Sequence, residues 1–417
     1  MSLAGSVTFA PEHAVAAARD FDLKRLPADF IDDPFPYYRA LREQDPVHRM
    51  PDGAYLITRW RDCDAVYRDA RVFSSDKKIE FKPKYGDAPL YQHHTTSLVF
   101  NDAPLHTRVR GLLMGALNQR AIARMEAGVV MLVARLLDEM QERAQVDFVE
   151  DFAARIPVEV IGNLLDVPRD ERGPLRAWSI AILSGLEPRP TPEMLERGNR
   201  AVTDFVAFLE SLIRERTENP GDPDADVLTR LIQGEKDGTR LSAAELHHNC
   251  IFLLNAGHET TTNLIANGMW LLLRYDAEMR RLRKDPGLIP SAVEEMLRYE
   301  GPIQLNNRRL TAPLELGGKR LAEGTFVTLG IGAANRDPAQ FADADRFDVG
   351  RKPNRHVAFG HGDHACAGMN VARMEARIAF GALLKRFPRI AAAGVPERDR
   401  RIRFRGFRKL PVSVKIG

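Results

Sequence analysis

Residues 359–368 read FGHGDHACAG, with one cysteine, Cys366, held in a turn among Gly360, Gly362 and Gly368. Glycines at these positions let the backbone turn sharply and come close to a flat object. The residues that follow carry apolar side chains at helical spacing (Met369, Ala372, Ala376, Ala379, Phe380, Leu383 and Leu384), which predicts a helix over 369–387. The thiol therefore stands just ahead of a helix start, where free amides favour a thiolate. A thiolate with no second sulfur beside it suits a haem iron better than a structural zinc, which takes a full set of Cys and His ligands. His361 and His364 keep zinc open as an alternative, although a His and a Cys separated by one residue lack the paired spacing of zinc sites.

With 417 residues, 44% hydrophobic and 28% charged, the chain has the composition of a soluble globular protein. Cys63, Cys250 and Cys366 are too far apart in sequence to suggest a disulfide framework, which fits a reducing compartment. The first residues, MSLAGSVTFAPEHAVAAARDFD, lack a basic region followed by a long apolar core, and no stretch approaches the length of a membrane span. A cytoplasmic protein without a membrane anchor is expected. A net charge of +3 is too small to argue for nucleic acid. The one basic run, RDRRIRFRGFRK over 398–409, alternates arginine with Ile402 and Phe404, which predicts a strand with a solvated arginine face.

Helical periodicity dominates, most clearly over 122–143, 193–217, 243–275 and 291–300, whereas strand-like runs are short (54–58, 314–316, 326–329 and 401–405). The pattern predicts a mainly α protein with small β-sheets, one domain over 1–417 with a loosely packed extension over 1–25. The segment 243–275 would form a helix of about 50 Å. It is apolar toward both ends, yet Asn255, His258, Glu259, Thr260, Thr261, Thr262 and Asn263 make its middle polar. That is the pattern of a buried central helix with a polar interruption rather than of a membrane span.

The decapeptide contains every fixed position of F-G-x-G-x-H-x-C-x-G and so resembles the haem-binding signature of the cytochromes P-450, a likeness that extends over roughly residues 30 to 410. It implies the cytochrome P-450 fold, a long central helix lying over haem b, with Cys366 as the axial iron ligand and Phe359 and Gly368 beside the cofactor. The sequence AGHETT at 256–261 resembles the family's oxygen-binding stretch. Ala256 and Gly257 would leave room for a diatomic ligand, Thr260 would hydrogen-bond dioxygen, and Glu259 would relay protons. The plain alternative is a helix irregularity in which the threonines bond back to carbonyls one turn earlier. By the same likeness Glu295 and Arg298, at i and i+3 in EEMLR, would join a second arginine to brace the cysteine loop, with Arg351 the best match and Arg346 the second. His106, Arg110, Arg308 and His364 match the residues that hold the two haem propionates, Arg309 being an alternative one residue from Arg308.

Positions facing the family's substrate pocket map to Phe252, Asn255, Gln304, Asn306 and Phe407, and to the region of Leu186. The amides among them suggest an organic substrate, small to medium in size, with a hydrogen-bonding group beside an apolar body. The reaction implied is hydroxylation or O/N-dealkylation with O2. Oxidative coupling, other chemistry without oxygen insertion, and a haem-thiolate sensor are the alternatives. Too few residues follow Cys366 for a fused reductase, and the sequence shows no flavin or iron–sulfur motif, so a monomer fed by a separate ferredoxin-type donor and its reductase, ultimately from NAD(P)H, is expected. Arg108, Arg120, Arg124, Arg373 and Arg377 are candidates for docking that donor, although such arginines are as common on ordinary solvated helix faces.

Overall fold

The computed structural model describes residues 9–117, 119–223, 226–234 and 240–415, the side chains of 116, 119 and 120 excepted. The central helix, Ala243–Arg274, runs 32 residues, about 48 Å. It is started by a capping box in which the Ser242 hydroxyl accepts from the Glu245 amide (3.2 Å) while the Glu245 carboxylate accepts from the Ser242 amide (2.8 Å). Its two ends belong to different hydrophobic cores. Leu246, Cys250, Ile251, Leu253 and Leu254 pack with the helices Leu175–Ser184 and Pro192–Glu218. Leu264, Ile265, Met269, Leu271 and Leu272 pack with Gln119–Arg143, Ile289–Tyr299 and Met369–Arg386. Residues 255–263, the polar middle, belong to neither core, so the two apolar ends fix the place where the polar side chains gather.

A five-stranded sheet lies to one side, in the order Val47–Arg49, Tyr55–Ile57, Phe326–Gly330, Leu305–Leu310, Phe73–Ser74. Only Tyr55–Ile57 against Phe326–Gly330 is parallel; the other pairs are antiparallel. A second sheet joins Gln145–Asp147, Pro411–Lys415 and Arg389–Ala392. Two predicted features differ. Residues 9–25 are not loosely packed: they include the helix Pro11–Arg19, and Ala18, Phe21 and Leu23 are buried with Phe30, Tyr37 and Leu41 because the segment covers an apolar face that would otherwise meet water. Residues 1–8 lie outside the described residues. Residues 401–405 form no regular strand beyond a bridge from Phe404 to Ile303, and the arginines of that run point inward. Arg401 reaches Glu259, Arg403 reaches Asn307, and Arg405 reaches Glu300, so buried carboxylates and amides, not solvent, receive these charges.

The Glu295 carboxylate, fully buried, accepts from Arg298 Nε and Nη2 (both 2.7 Å), Arg351 Nε (3.1 Å), Asn354 Nδ2 (3.1 Å) and the Asp348 amide (3.0 Å). Arg298 Nη1 donates onward to Asn335 O (2.9 Å), and Asn335 Oδ1 accepts from the Val357 amide (2.8 Å). Arg351, rather than Arg346, is thus the third member: Arg346 offers the cluster only its backbone carbonyl. Removing one partner of a buried pair strands the other, so Arg298→Met is expected to lower unfolding stability by about 3–5 kcal/mol and Glu295→Gln/Arg298→Met by less than the two single changes together, measured by urea denaturation of the haem-loaded protein.

Several imidazoles are buried neutral. Burial, with help from Lys84 and Arg403, holds His94 near 3, and burial holds His248 and His258 near 4, all below the ordinary 6.5. As pH falls below 6.5 the unfolded chain binds protons that the native chain refuses, so the stability these groups contribute is complete above 6.5 and is lost on the way down to about 4. His94→Phe/His248→Leu is expected to flatten the decline in thermal midpoint between pH 6.5 and 4; an unchanged slope would exclude these groups as its source.

Candidate active site

The cysteine loop is shaped by its glycines and by what presses on it. Gly360 and Gly362 have φ of +63° and +68°, and a Cβ at Gly362 would come within 2.4 Å of Tyr67 O, so neither position takes a larger residue readily. The Cys366 amide donates to Phe359 O (2.8 Å), and Arg110 Nη2 donates to Ala365 O (2.8 Å). His361 Nδ1 is held by Asp64 Oδ1 (2.5 Å). The Phe359 ring lies under the Arg373 guanidinium (4.7 Å to the centroid), which Glu294 fixes with two bonds of 2.7 and 2.8 Å. The helix Met369–Arg386 follows, as predicted. The helix start does not by itself make a thiolate: burial pushes the Cys366 thiol up, and the Gly368 amide, Arg110 and Arg373 offset only part of this. Lowering it further is what coordination to a metal does for a thiol. Among the described residues, no three His, Cys, Asp or Glu side chains converge as a metal site; His361 bonds Asp64 and the His364 ring lies against His106.

Four of the sequence candidates meet at one place. The His106 and His364 rings lie 3.9 Å apart at 32°. Arg308, buried where Arg309 is not, sits over the Tyr67 ring (5.5 Å) and donates to Asn306 Oδ1 (3.3 Å) and Asn307 O (2.8 Å). Burial and the positive charges of Arg308, His106, Arg110 and Lys77 push His364 down to about 2. His106 Nε2 is buried without a partner, and the nearest carboxylate to His364 is Asp102, at 3.9 Å. So many donors with so little negative charge suit a dianion, and the two propionates of haem meet that requirement. Gly368, two residues from the thiol, faces open space where a Cβ would touch nothing within 4 Å, and Ala256 is exposed although no other residue of the helix from 245 to 274 is. These residues fit haem. Lys77, which carries no motif, is brought near His364 by the fold alone, with its ammonium held by Glu80 (2.8 Å) and Asn307 O (3.1 Å).

In the polar middle of the central helix Glu259 is buried against Arg401, with Asn263 Nδ2 at 3.0 Å. Burial alone would raise its carboxyl, but Arg401, His258 and Asn263 together outweigh burial and hold it below the usual carboxylate range, so it is ionised at rest. Thr260 Oγ1 donates to Ala256 O (2.6 Å), the back-bonded arrangement, which leaves the hydroxyl lone pairs free to accept. Gly257 is small for a different reason from the one its neighbours suggested. A Cβ there would meet Ile161 Cδ1 at 2.5 Å, so close packing on the helix Arg155–Leu164 fills that space. Nothing in the sequence marked Arg401 as the partner of Glu259, because it lies 142 residues away in the run read as solvated.

The substrate candidates separate. Phe252 lines the core at the start of the central helix, and Asn255 Nδ2 lies 3.5 Å from His93 Nε2 with its Oδ1 unpartnered. Asn306 bonds Arg308 and Tyr67, on the cationic side. Gln304 is turned away, its Nε2 on Gly301 O (2.8 Å) and its Oε1 against Gly332 and Tyr38. Phe407 is a core residue tilted against Trp270 (5.5 Å between centroids) beneath Arg398; Phe404, three residues earlier, is an aromatic of the core against which Phe252 packs. Of the docking arginines, Arg108 is engaged with Glu245 and Arg373 with Glu294; Arg124 also has a partner, and Arg377 Nε donates to Arg373 O (3.2 Å). The Arg120 side chain lies outside the described residues.

Among the described residues no helix is long and apolar enough to cross a membrane. A family model described as cytochrome P450 matches residues 186–286 and 287–416. The chain is 34% identical over 393 residues to the biotin biosynthesis cytochrome P450 of Bacillus subtilis (strain 168), covering 93% of this chain and 98% of that one. It is 36% identical over 394 residues to the 6-deoxyerythronolide B hydroxylase of Saccharopolyspora erythraea, covering 90% and 95%. The solved structure of CalO2 superposes with a TM-score of 0.89 at 30% identity, covering 96% of this chain and all of that one. A lone cysteine in a glycine loop, a cationic cluster suited to propionates and likeness along nearly the whole chain lead to one conclusion: this chain belongs to the cytochrome P450 family and is a haem-dependent monooxygenase of the bacterial type.

Proposed function

We propose that this enzyme hydroxylates or O/N-dealkylates a small to medium organic molecule bound beside Phe252, Asn255 and Phe404, using O2 and electrons from NAD(P)H delivered by a separate ferredoxin-type protein and its reductase. The observation that carries the reading is the intact acid–alcohol pair, Glu259 and Thr260, at the junction of the two cores. Cys366 would be the axial ligand, Phe359, Ala256 and Gly368 would flank the macrocycle, and His106, Arg110, Arg308 and His364 would hold its propionates. When bound, haem supplies the iron centre at which dioxygen is activated, and the thiolate's electron donation favours O–O cleavage over reversible O2 carriage. The protein's part is to seat the substrate, exclude bulk water and manage protons. Thr260 Oγ1, tied to Ala256 O, presents lone pairs toward the pocket, and Glu259 exchanges protons with solvent when Arg401 releases it. A monomer in the cytoplasm fits the three separate thiols and the lack of a membrane-crossing helix among the described residues.

The test of the cofactor assignment is the reduced, carbon-monoxide-bound spectrum. Wild type is expected to show the strongly red-shifted Soret band of thiolate-bound haem, and Cys366→Ser to lose that band while still binding haem. A correctly folded, haem-loaded wild type without it would overturn Cys366 as ligand.

Asn255 Oδ1, unpartnered and buried, supports a substrate with a hydrogen-bonding group. In spin-state titrations an oxygenated ligand is expected to bind about tenfold tighter than a hydrocarbon of equal size, and Asn255→Leu to remove that preference. Equal affinities in wild type would sink the idea.

A further inference from the structure

The Asn255 side chain has two ends, and the fold decides which of them is left for a ligand. Its Nδ2 lies 3.5 Å from Nε2 of His93, on the helix Pro89–Thr96, while its Oδ1 is buried without a partner. Asn255 stands three residues after Phe252 and adjoins Ala256, the exposed position in the buried run of the central helix. The oxygen and nitrogen ends of an amide are nearly the same in shape, so the direction of the group is set by the hydrogen-bonding character of the ring it faces.

That character is fixed from behind. Burial, with His94 and His248 beside it, pushes His93 well below its ordinary 6.5, so the ring is neutral and carries a single N–H. The Ser97 hydroxyl donates to His93 O (2.5 Å), so toward His93 Nδ1, 3.4 Å away, the same oxygen can only accept. The N–H is therefore on Nδ1, and Nε2 offers a lone pair, which an amide N–H meets and an amide oxygen does not. The loop carrying Ser97 is itself held: Asn101 Nδ2 donates to Ser97 O (2.8 Å), and the Leu98 amide donates to Oδ1 of Asn249 (2.9 Å), on the central helix six residues before Asn255. Every member of this set is uncharged, so it offers neither a cation to a carboxylate nor an anion to an amine. His248 Nδ1, also unpaired, lies two turns before Asn255, about 10 Å along the helix axis, too far to serve Oδ1.

We infer that Asn255 selects substrates bearing a neutral hydrogen-bond donor, a hydroxyl or an amide N–H, over those bearing only an acceptor, with His93 and Ser97 as positioning residues that keep Oδ1 toward the ligand; the inference rests on the reading that Asn255 meets the substrate. A ketone or ether oxygen brought to Oδ1 faces a second acceptor, and both lose water without gaining a bond. A donor gives Oδ1 the partner that the folded chain does not supply.

Two matched pairs of ring compounds test this by spin-state titration of the haem-loaded enzyme: cyclododecanol against cyclododecanone, and laurolactam against dodecanolide, with cyclododecane as the hydrocarbon reference. The donor of at least one pair is expected to bind about tenfold tighter than its acceptor partner, the first pair reporting a hydroxyl and the second an N–H. His93→Phe is expected to bring each pair to within about twofold while the oxygenated ligands stay tighter than cyclododecane, because a freed amide turns to suit either; a merely structural role would weaken all the ligands alike. Ser97→Ala, a smaller change, is expected to narrow the preference in the same direction and serves if His93→Phe folds poorly. Nitrogen NMR of the diamagnetic ferrous, carbon-monoxide-bound protein is expected to show His93 protonated at Nδ1 alone. An Nε2–H tautomer, or a donor preference unchanged in both variants, overturns the positioning by His93. Oxygenated ligands that bind alike, yet tighter than cyclododecane, overturn the donor selectivity and leave the hydrogen-bonding substrate standing; equal affinities for all the compounds overturn both.

Discussion

The buried carboxylate of Glu295 accepts five hydrogen bonds, from Arg298, Arg351, Asn354 and the amide of Asp348, and the proximal half of the molecule is built around it. A charge removed from water in this way is tolerable only when every lone pair is met. Meeting them draws residues 348–354 onto the helix Ile289–Tyr299. Through Asn335, the same network reaches Val357, two residues before Phe359. A cysteine in a flexible turn would be a thiol of no fixed direction. Here the turn is stiffened behind by the carboxylate cluster, beside by Tyr67, and at the ring of Phe359 by the Arg373–Glu294 pair.

On the other side of the site the organising constraint is the contrast along one helix. Two apolar ends sunk in separate cores hold nine polar or small residues at the gap between them. The carboxylate there is paired with an arginine from the C-terminal segment, and that segment is in turn tied to residues 186 and 187: Arg403 Nε donates to Leu186 O (3.0 Å), and the Ile402 amide donates to Glu187 (2.8 Å). The polar middle of the helix and residues 186 and 187 are therefore held by neighbouring residues of a single stretch of chain, 401–403.

Cys366, Glu259, Thr260, His106 and Arg110 were legible as candidates because each lies in a local pattern (a turn, a helix interruption, an i, i+4 pair), and the propionate roles of His106, Arg110, Arg308 and His364 came from the resemblance to the family. Sequence reading also located Glu295 and Arg298, whose spacing lets them meet on one helix face. It misplaced residues whose direction depends on distant partners. Phe407 and Gln304 were expected at the substrate and instead serve the core and a separate cavity. Residues 9–25 were expected to be loose because their local composition is unremarkable, yet Phe21 and Leu23 close a hydrophobic face formed by residues that follow them.

The sequence by itself determined the helical framework, the thiol loop and the presence of an acid beside an alcohol in the middle of the longest helix, since periodicity and turn chemistry are properties of neighbours along the chain. The tertiary structure alone decided that the charges of 401–405 turn inward, while Arg400, Arg408 and Lys409 stay exposed. Alternation of arginine with apolar residues is the same whether the arginines face water or buried acids, and the choice is made by Glu259, Glu300 and Asn307, which are brought to that segment only when the chain folds. A buried carboxylate needs a cation, and a lone sequence cannot say which of many arginines will be near enough to supply it.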